Sequence, residues 1–178
     1  MSAFSWISLA FWPLAPYPVS SLGAAMINQP KFNVPPVGER WPFTWVLIDD
    51  LIISLTQEGP IPDPIWDRFM ADAASEAVKH HFGCAIGNVS INSVQRKSVV
   101  EALVGVTNTT VIESTIARGI VTAVSWLGMS IKSFPWKEFD RAVERVESKS
   151  VTHAEVKQLA EKLLKQSGAP SLAKMMGG

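Results

Sequence analysis

The sequence predicts a single α/β domain built on a twisted, mixed, mostly parallel sheet of about four to five strands. About four helices cover that sheet, and a further helix follows at the C-terminus. Three observations lead there. The chain has 178 residues, 47% apolar and 18% charged, enough to bury the core of one domain with tails. Short β-rich runs alternate with amphipathic helical stretches through residues 41–147, the pattern of strand–crossover–strand units. One cysteine and three histidines leave no disulfide framework and no thiolate zinc cluster to replace a core.

Charge divides the chain into three stretches. Residues 1–40 hold only Lys31, Glu39 and Arg40. Residues 41–147 carry nine basic and thirteen acidic side chains, and residues 148–178 carry five lysines against Glu155 and Glu161. These are expected to be an N-terminal extension with its linker, a folded body, and a helical appendage. A formal net charge of zero provides no electrostatic footprint for nucleic acid.

From Phe4 to Ala25 the extension is almost wholly apolar, but Pro13, Pro16 and Pro18 interrupt any helix long enough to span a bilayer. Three readings stay open. One is a loosely ordered or non-native leader, with Met26 as the true start. The others are an interfacial anchor to a membrane or partner through Trp6, Phe11 and Trp12, and a weak signal peptide. The lone cysteine favours the cytoplasm; a working N-terminal segment would place the chain at a membrane or beyond it.

Residues 26–40, with Pro30, Pro35 and Pro36, read as an extended linker. Residues 45–48 and 51–55 are β-rich runs on either side of Asp49-Asp50, either a hairpin or one bent strand. Pro62-Asp63-Pro64 opens a helix, with Asp63 as N-cap and Pro64 where its missing N–H is not needed. Ile65, Phe69, Ala73 and Ala77 give that helix a buried side, and His80-His81 is expected at its end. Phe82–Val89 is a short apolar stretch; Asn92 or Ser93 then caps a second helix that buries Val99, Val100, Leu103 and Val104. Residues 109–112 make a strand, followed by a helix striped with Ile116, Ile120, Ala123, Val124 and Leu127. Residues 130–134 are the last strand, and Pro135 opens a helix carrying Phe139, Ala142, Val143 and Val146.

The appendage is the best-specified helix. Thr152 and Glu155 have capping-box spacing, Val151 and Val156 that of a hydrophobic staple. Leu159, Leu163 and Leu164 line one face, and Gly168 with Pro170 stops it; residues 171–178 are expected to fray.

The order strand, strand, helix, then strand–helix three times carries four local features. They are Gln95-Arg96-Lys97, Ala117-Arg118-Gly119-Ile120-Val121-Thr122-Ala123, Trp126-Leu127-Gly128 and Phe134-Pro135-Trp136. Across about residues 43–147 this resembles the STAS domain family of bacterial anti-sigma-factor antagonists, and more closely the looser STAS-like proteins of bacteria. The resemblance implies a non-enzymatic regulatory module that binds a protein partner. It also implies a phosphorylated hydroxyl between a strand and the second helix, which by position falls at Ser90-Ile91-Asn92-Ser93, with Ser93 first and Ser90 second. Here Asn92 and Val94 flank Ser93, where the family has an acidic residue before and usually glycine after. A phosphate there would meet a helix N-terminus and Arg96 one turn on; the plain alternative is a capping residue.

Ser114, Thr115 and Arg118 repeat that layout at the next strand end. With Asn92 and Arg96 they could form one polar rim for a partner, or for a small anion, nucleotide or lipid, where parallel sheets bind ligands. The bland reading is two well-capped helices with solvated arginines. Cys84 in an apolar strand is expected to be buried and inert. Asp63, Asp67, Asp72 and Glu76 read as a solvated acidic face, and the tryptophans as core residues with bonded N–H groups. No metal site, cofactor fingerprint or catalytic motif is expected from any spacing.

Overall fold

The computed structural model describes residues 29–113 and 129–177. In chain order the strands are β1 (Lys31–Asn33), β2 (Phe43–Ile48), β3 (Leu51–Thr56) and β4 (Gly59–Pro60), before helix α1 (Asp63–Ala73). Then come β5 (His80–Ala85), β6 (Val89–Ser90), α2 (Ser93–Leu103), β7 (Thr107–Ile112) and β8 (Ile131–Phe134). A 3₁₀ turn at Trp136–Glu138 leads into α3 (Phe139–Val143), α4 (His153–Gln166) and α5 (Leu172–Gly177). The main sheet has the order β1-β2-β3-β5-β7-β8. β1–β2 and β2–β3 are antiparallel, and the pairs from β3 to β8 are parallel. This is the mixed, mostly parallel α/β sheet expected, with β4 and β6 as a separate two-residue parallel pair.

Asp49-Asp50 is the turn of a tight hairpin: Ile48 pairs with Leu51, and Asp49 takes a positive φ of 46°. Aspartate tolerates that region better than most residues because its short side chain can bond locally.

Residues 31–33, read from sequence as linker, are instead an edge strand. Their pairing with Trp45–Leu47 is reinforced by Asp72, which accepts from Lys31 Nζ at 2.7 Å, Trp45 Nε1 at 2.8 Å and Asn33 Nδ2 at 3.3 Å. Asp72 is therefore a tether between α1 and two strands, and not part of a solvated acidic face.

Helix α1 starts one residue earlier than expected. Pro62 is its N-cap, with no side-chain cap, and Asp63 accepts a bond from Gln95 across to α2 instead. It stops at Ala73, so Ala77 lies beyond it and is exposed, whereas Trp66 joins Phe69 and Ala73 on the buried side. Asn92 caps α2 in a full capping box with Gln95, whose amide also donates to Ile61 O at 2.9 Å. Ser93 is thus the first helical residue rather than the cap, and Val104, expected inside, is 68% exposed just past the helix end.

Two cores flank the sheet. On one face Phe43, Trp45 and Ile52 meet α1 and α2 through Trp66, Phe69, Val99 and Leu103. Phe69 stands edge-on to Phe43 at 4.7 Å and to Trp45 at 5.5 Å, an arrangement that adds about 0.5–1.5 kcal/mol per pair beyond burial. On the other face Ile53, Leu55, Phe82, Cys84 and Val111 meet Trp136, Phe139, Val143 and the α4 residues Val156, Leu163 and Leu164. The Thr152–Glu155 capping box of α4 forms as expected, and Gly168 leaves the helix at φ 66°. Thr44 Oγ1 and Ser167 Oγ, 2.8 Å apart and buried, fix the end of α4 to β2. Residues 172–177, expected to fray, form a short helix because Leu172, Met175 and Met176 pack on this second core.

The helix expected over residues 116–127 and the aromatic anchor Trp6, Phe11 and Trp12 lie outside the described residues. Among the described residues no helix is long and apolar enough to cross a membrane.

Candidate functional site

Central parallel strands covered on both faces normally read as continuous apolar runs. On the α1/α2 face this sheet departs from that pattern. Successive strand side chains alternate between faces, so Ile52, Ser54 and Thr56 of β3, His81, Gly83 and Ala85 of β5, and Asn108, Thr110 and Ile112 of β7 share one side. The register sets Ile52 against His81 against Asn108, and Ser54 against Gly83 against Thr110. His80-His81 therefore does not end α1, as expected. The two histidines open β5 and point to opposite faces, because α1 stops at Ala73 and its turn leads straight into the strand.

His81 joins three strands. Its Nε2 lies 2.9 Å from Ser54 Oγ on β3, and its Nδ1 lies 3.0 Å from Asn108 Oδ1 on β7. Asn108 is wholly buried and its amide nitrogen donates to Val106 O at 2.7 Å. That carbonyl decides the polarity of the chain. With Nδ2 committed to Val106, Oδ1 faces His81 and can only accept, so Nδ1 carries the imidazole hydrogen. Nε2 is then the bare nitrogen, and it accepts from the Ser54 hydroxyl. Burial pushes the His81 pKa down from 6.5 to about 4, against the raising effect of the Asn108 bond. The ring is neutral throughout the physiological range.

Ser54 and His81, with Asn108 behind them, open onto the floor of a cavity of ≈ 100 Å³. Its described walls include Phe43, Trp66, Phe69, Val99, Met129 and Ile131, with Ser54, Thr56, His81, Gly83 and Thr110 beneath. No lysine, arginine, aspartate or glutamate is among the described lining residues.

Gly83 shapes the floor. A Cβ there would stand 3.2 Å from His81 Cε1, 3.4 Å from Thr110 Oγ1 and 3.5 Å from His81 Nε2. The missing side chain lets the imidazole and the threonine hydroxyl close over the strand more tightly than a Cβ would allow.

The residues singled out from sequence lie elsewhere. Ser90 is exposed in β6, Asn92 is the α2 cap, and Ser93 is exposed in the first turn. Arg96 Nη1 donates to Ile91 O at 2.7 Å, which ties the guanidinium back to its own loop. Ser114, Thr115 and Arg118 lie outside the described residues, so the rim is described on one side only. Cys84 is buried and its thiol is pushed up to about 12, which makes it inert in the folded state. Trp45, Trp66 and Trp136 are buried with their N–H groups bonded to Asp72, Ser98 and Ala85 O respectively. Among the described residues no group of three or more His, Cys, Asp or Glu side chains is placed to hold a metal ion.

Sequence reasoning missed Ser54, His81 and Asn108. The one available signal was polar residues inside β-rich runs, at a constant separation of 27 residues.

Comparison with protein-family models, with curated proteins and with solved structures returns no match, so nothing identifies a STAS-like domain.

Proposed function

We propose that this chain is a small-ligand-binding α/β domain whose ligand enters the cavity between the sheet and helices α1 and α2. The observation that carries the reading is an apolar cavity floored by Ser54 and a neutral His81 that Asn108 orients from behind. Apolar walls with a few convergent polar groups are the usual make-up of such sites. An engineered cavity of about 150 Å³ takes up benzene. A cavity of ≈ 100 Å³ suits a neutral compound of at most about seven non-hydrogen atoms in all, one of them a hydroxyl or carbonyl oxygen. A charged ligand is disfavoured because the described lining offers no counter-charge.

The test is a titration with phenol and with its near-isostere toluene, read from the methyl resonances of Met129, Ile131 and Val99. Saturable shifts are expected, with phenol about 3–10-fold tighter because it bonds to the polar floor, as one net hydrogen bond predicts. No shift with either compound would defeat the reading.

A second reading is a regulatory module switched by phosphorylation at Ser93, which binds a protein partner. The exposure of Ser93 beside an exposed Val94 supports it, together with Arg96 on the next turn. Capture of a partner by the wild type but not by Ser93→Asp is expected on that reading; equal capture by both would remove the switch.

A further inference from the structure

We propose that Ser54 is an acylatable nucleophile, with His81 as its general base, acting on small neutral esters bound in the cavity described above. The inference rests on that cavity reading and assigns it chemistry.

Four geometric observations carry it. The Ser54 hydroxyl is 2.9 Å from the nitrogen that the tautomer argument leaves bare. Nucleophile-to-base distances in acyl-transfer sites fall at about 2.6–3.2 Å. The far ring nitrogen is held at 3.0 Å by Asn108, whose own orientation is set by the Val106 carbonyl. Asn108 is thus a positioning residue in the role that orients a catalytic imidazole. Finally, Ser54, His81 and Thr110 all line the cavity, and Ser54, Gly83 and Thr110 stand abreast in the register. An ester carbonyl bound there would face Ser54, with the Thr110 hydroxyl available to donate to its oxygen. The arrangement is recognised by roles and distances and not by sequence order.

The step balances without any further reactant than water. Ser54 Oγ forms a bond to the ester carbonyl carbon as its proton passes to His81 Nε2. The carbon–alkoxy oxygen bond then breaks, and the departing alcohol takes that proton. Water, deprotonated in turn by His81, attacks the acyl carbon. The bond from that carbon to Ser54 Oγ breaks, Oγ takes the proton back from His81 Nε2, and the acid leaves. One ester and one water thus become one acid and one alcohol. A structural role alone would need the hydrogen bonds but not the cavity onto which Ser54 and His81 open.

The experiment uses the full chain and vinyl acetate, an activated ester of six non-hydrogen atoms that the cavity can hold, quenched at intervals, with peptide mass spectrometry locating the acetyl group. Acetylation of Ser54 that saturates with ester and is competed by phenol is expected. Ser54→Ala should abolish it, and His81→Gln should slow it about 100-fold, the lower end for loss of a general base. Circular dichroism and toluene binding, which needs no bond to the polar floor, establish that each variant is folded. Asn108→Ala should lower the maximal rate while leaving the half-saturating ester concentration unchanged. Asn108→Asp, which keeps an acceptor for Nδ1–H, should recover part of it. Phenol binding without acetylation of Ser54 overturns this inference and leaves the ligand-binding reading standing; loss of both overturns both. Acetylation confined to surface lysines, or equal in wild type and His81→Gln, also overturns the inference.

Discussion

Acidification should destabilise this protein through His81, by an amount that follows from its surroundings. The unfolded chain protonates this imidazole near pH 6.5, whereas the folded protein resists until about pH 4. Within that window the unfolded state binds a proton that the folded state does not, so stability falls as pH falls. The contribution is intact above about 6.5, is lost progressively down to about 4, and has no further slope below that, where both states are protonated. A gap of about two and a half pH units corresponds to roughly 3 kcal/mol. That is a substantial share of the 5–15 kcal/mol typical of a domain. Urea unfolding of the wild type and of His81→Gln across pH 7 to 4.5 isolates the effect. The variant starts lower, having lost part of the hydrogen-bond chain, but it lacks this slope. Parallel stability curves for the two proteins would refute the reasoning, as would an imidazole Cε1–H resonance of His81 that titrates near 6.5.

Further outcomes follow from single contacts. Asp72→Ala should cost about 1–3 kcal/mol in unfolding free energy, because the buried Trp45 N–H loses its 2.8 Å acceptor. It should also speed proteolysis around residues 31–33, and an unchanged melt would contradict the tether. Gly83→Ala crowds His81 with a Cβ 3.2 Å from its Cε1, so phenol binding should weaken and stability drop by about 1–3 kcal/mol, measured by titration and thermal unfolding. Cys84 should resist a thiol-reactive aromatic disulfide at pH 8 and react fully in denaturant, since its thiol is held up at about 12. Thr152→Ala should remove about 1 kcal/mol by breaking the α4 capping box, detectable as a shift in the urea midpoint.

What the sequence revealed depended on how local the cause was. The hairpin at Asp49-Asp50, the capping box of α4, and the buried Phe139, Ala142, Val143 and Val146 are set by neighbours within a few residues, and all of them formed. β1 was missed because a three-residue strand has no periodicity of its own. Its place comes from Asp72, about forty residues away in the chain. The extent of α1 was misjudged for the opposite reason: Ala77 continues the apolar spacing, but the chain must turn to bring His80 against Leu51. The short α5 depends on Leu172, Met175 and Met176 finding the second core, which no local pattern announces.

The candidate site was hidden for a topological reason that also says something about its purpose. Ser54, His81 and Asn108 come from three successive strands, and only the parallel register brings them together. Their separations of 27 residues correspond to two strand–helix–strand crossovers of equal length, each returning one polar side chain to the same face. The opposite face of those strands shows what the sheet does where only stability is at stake. Ile53, Leu55, Phe82, Cys84 and Val111 pack beneath Trp136, Phe139 and α4, with the polar Thr109 buried beside Phe82. The alternation along β3, from Ile52 and Ser54 on one side to Ile53 and Leu55 on the other, therefore separates two tasks. One face supplies the bulk of the buried apolar area. The other gives up apolar contacts to hold a neutral, oriented hydrogen-bond chain beside a cavity. A sheet needing only to be stable would gain from apolar residues on both faces. On the proposed reading, what offsets the apolar contacts given up along the polar row is the ligand that it would bind.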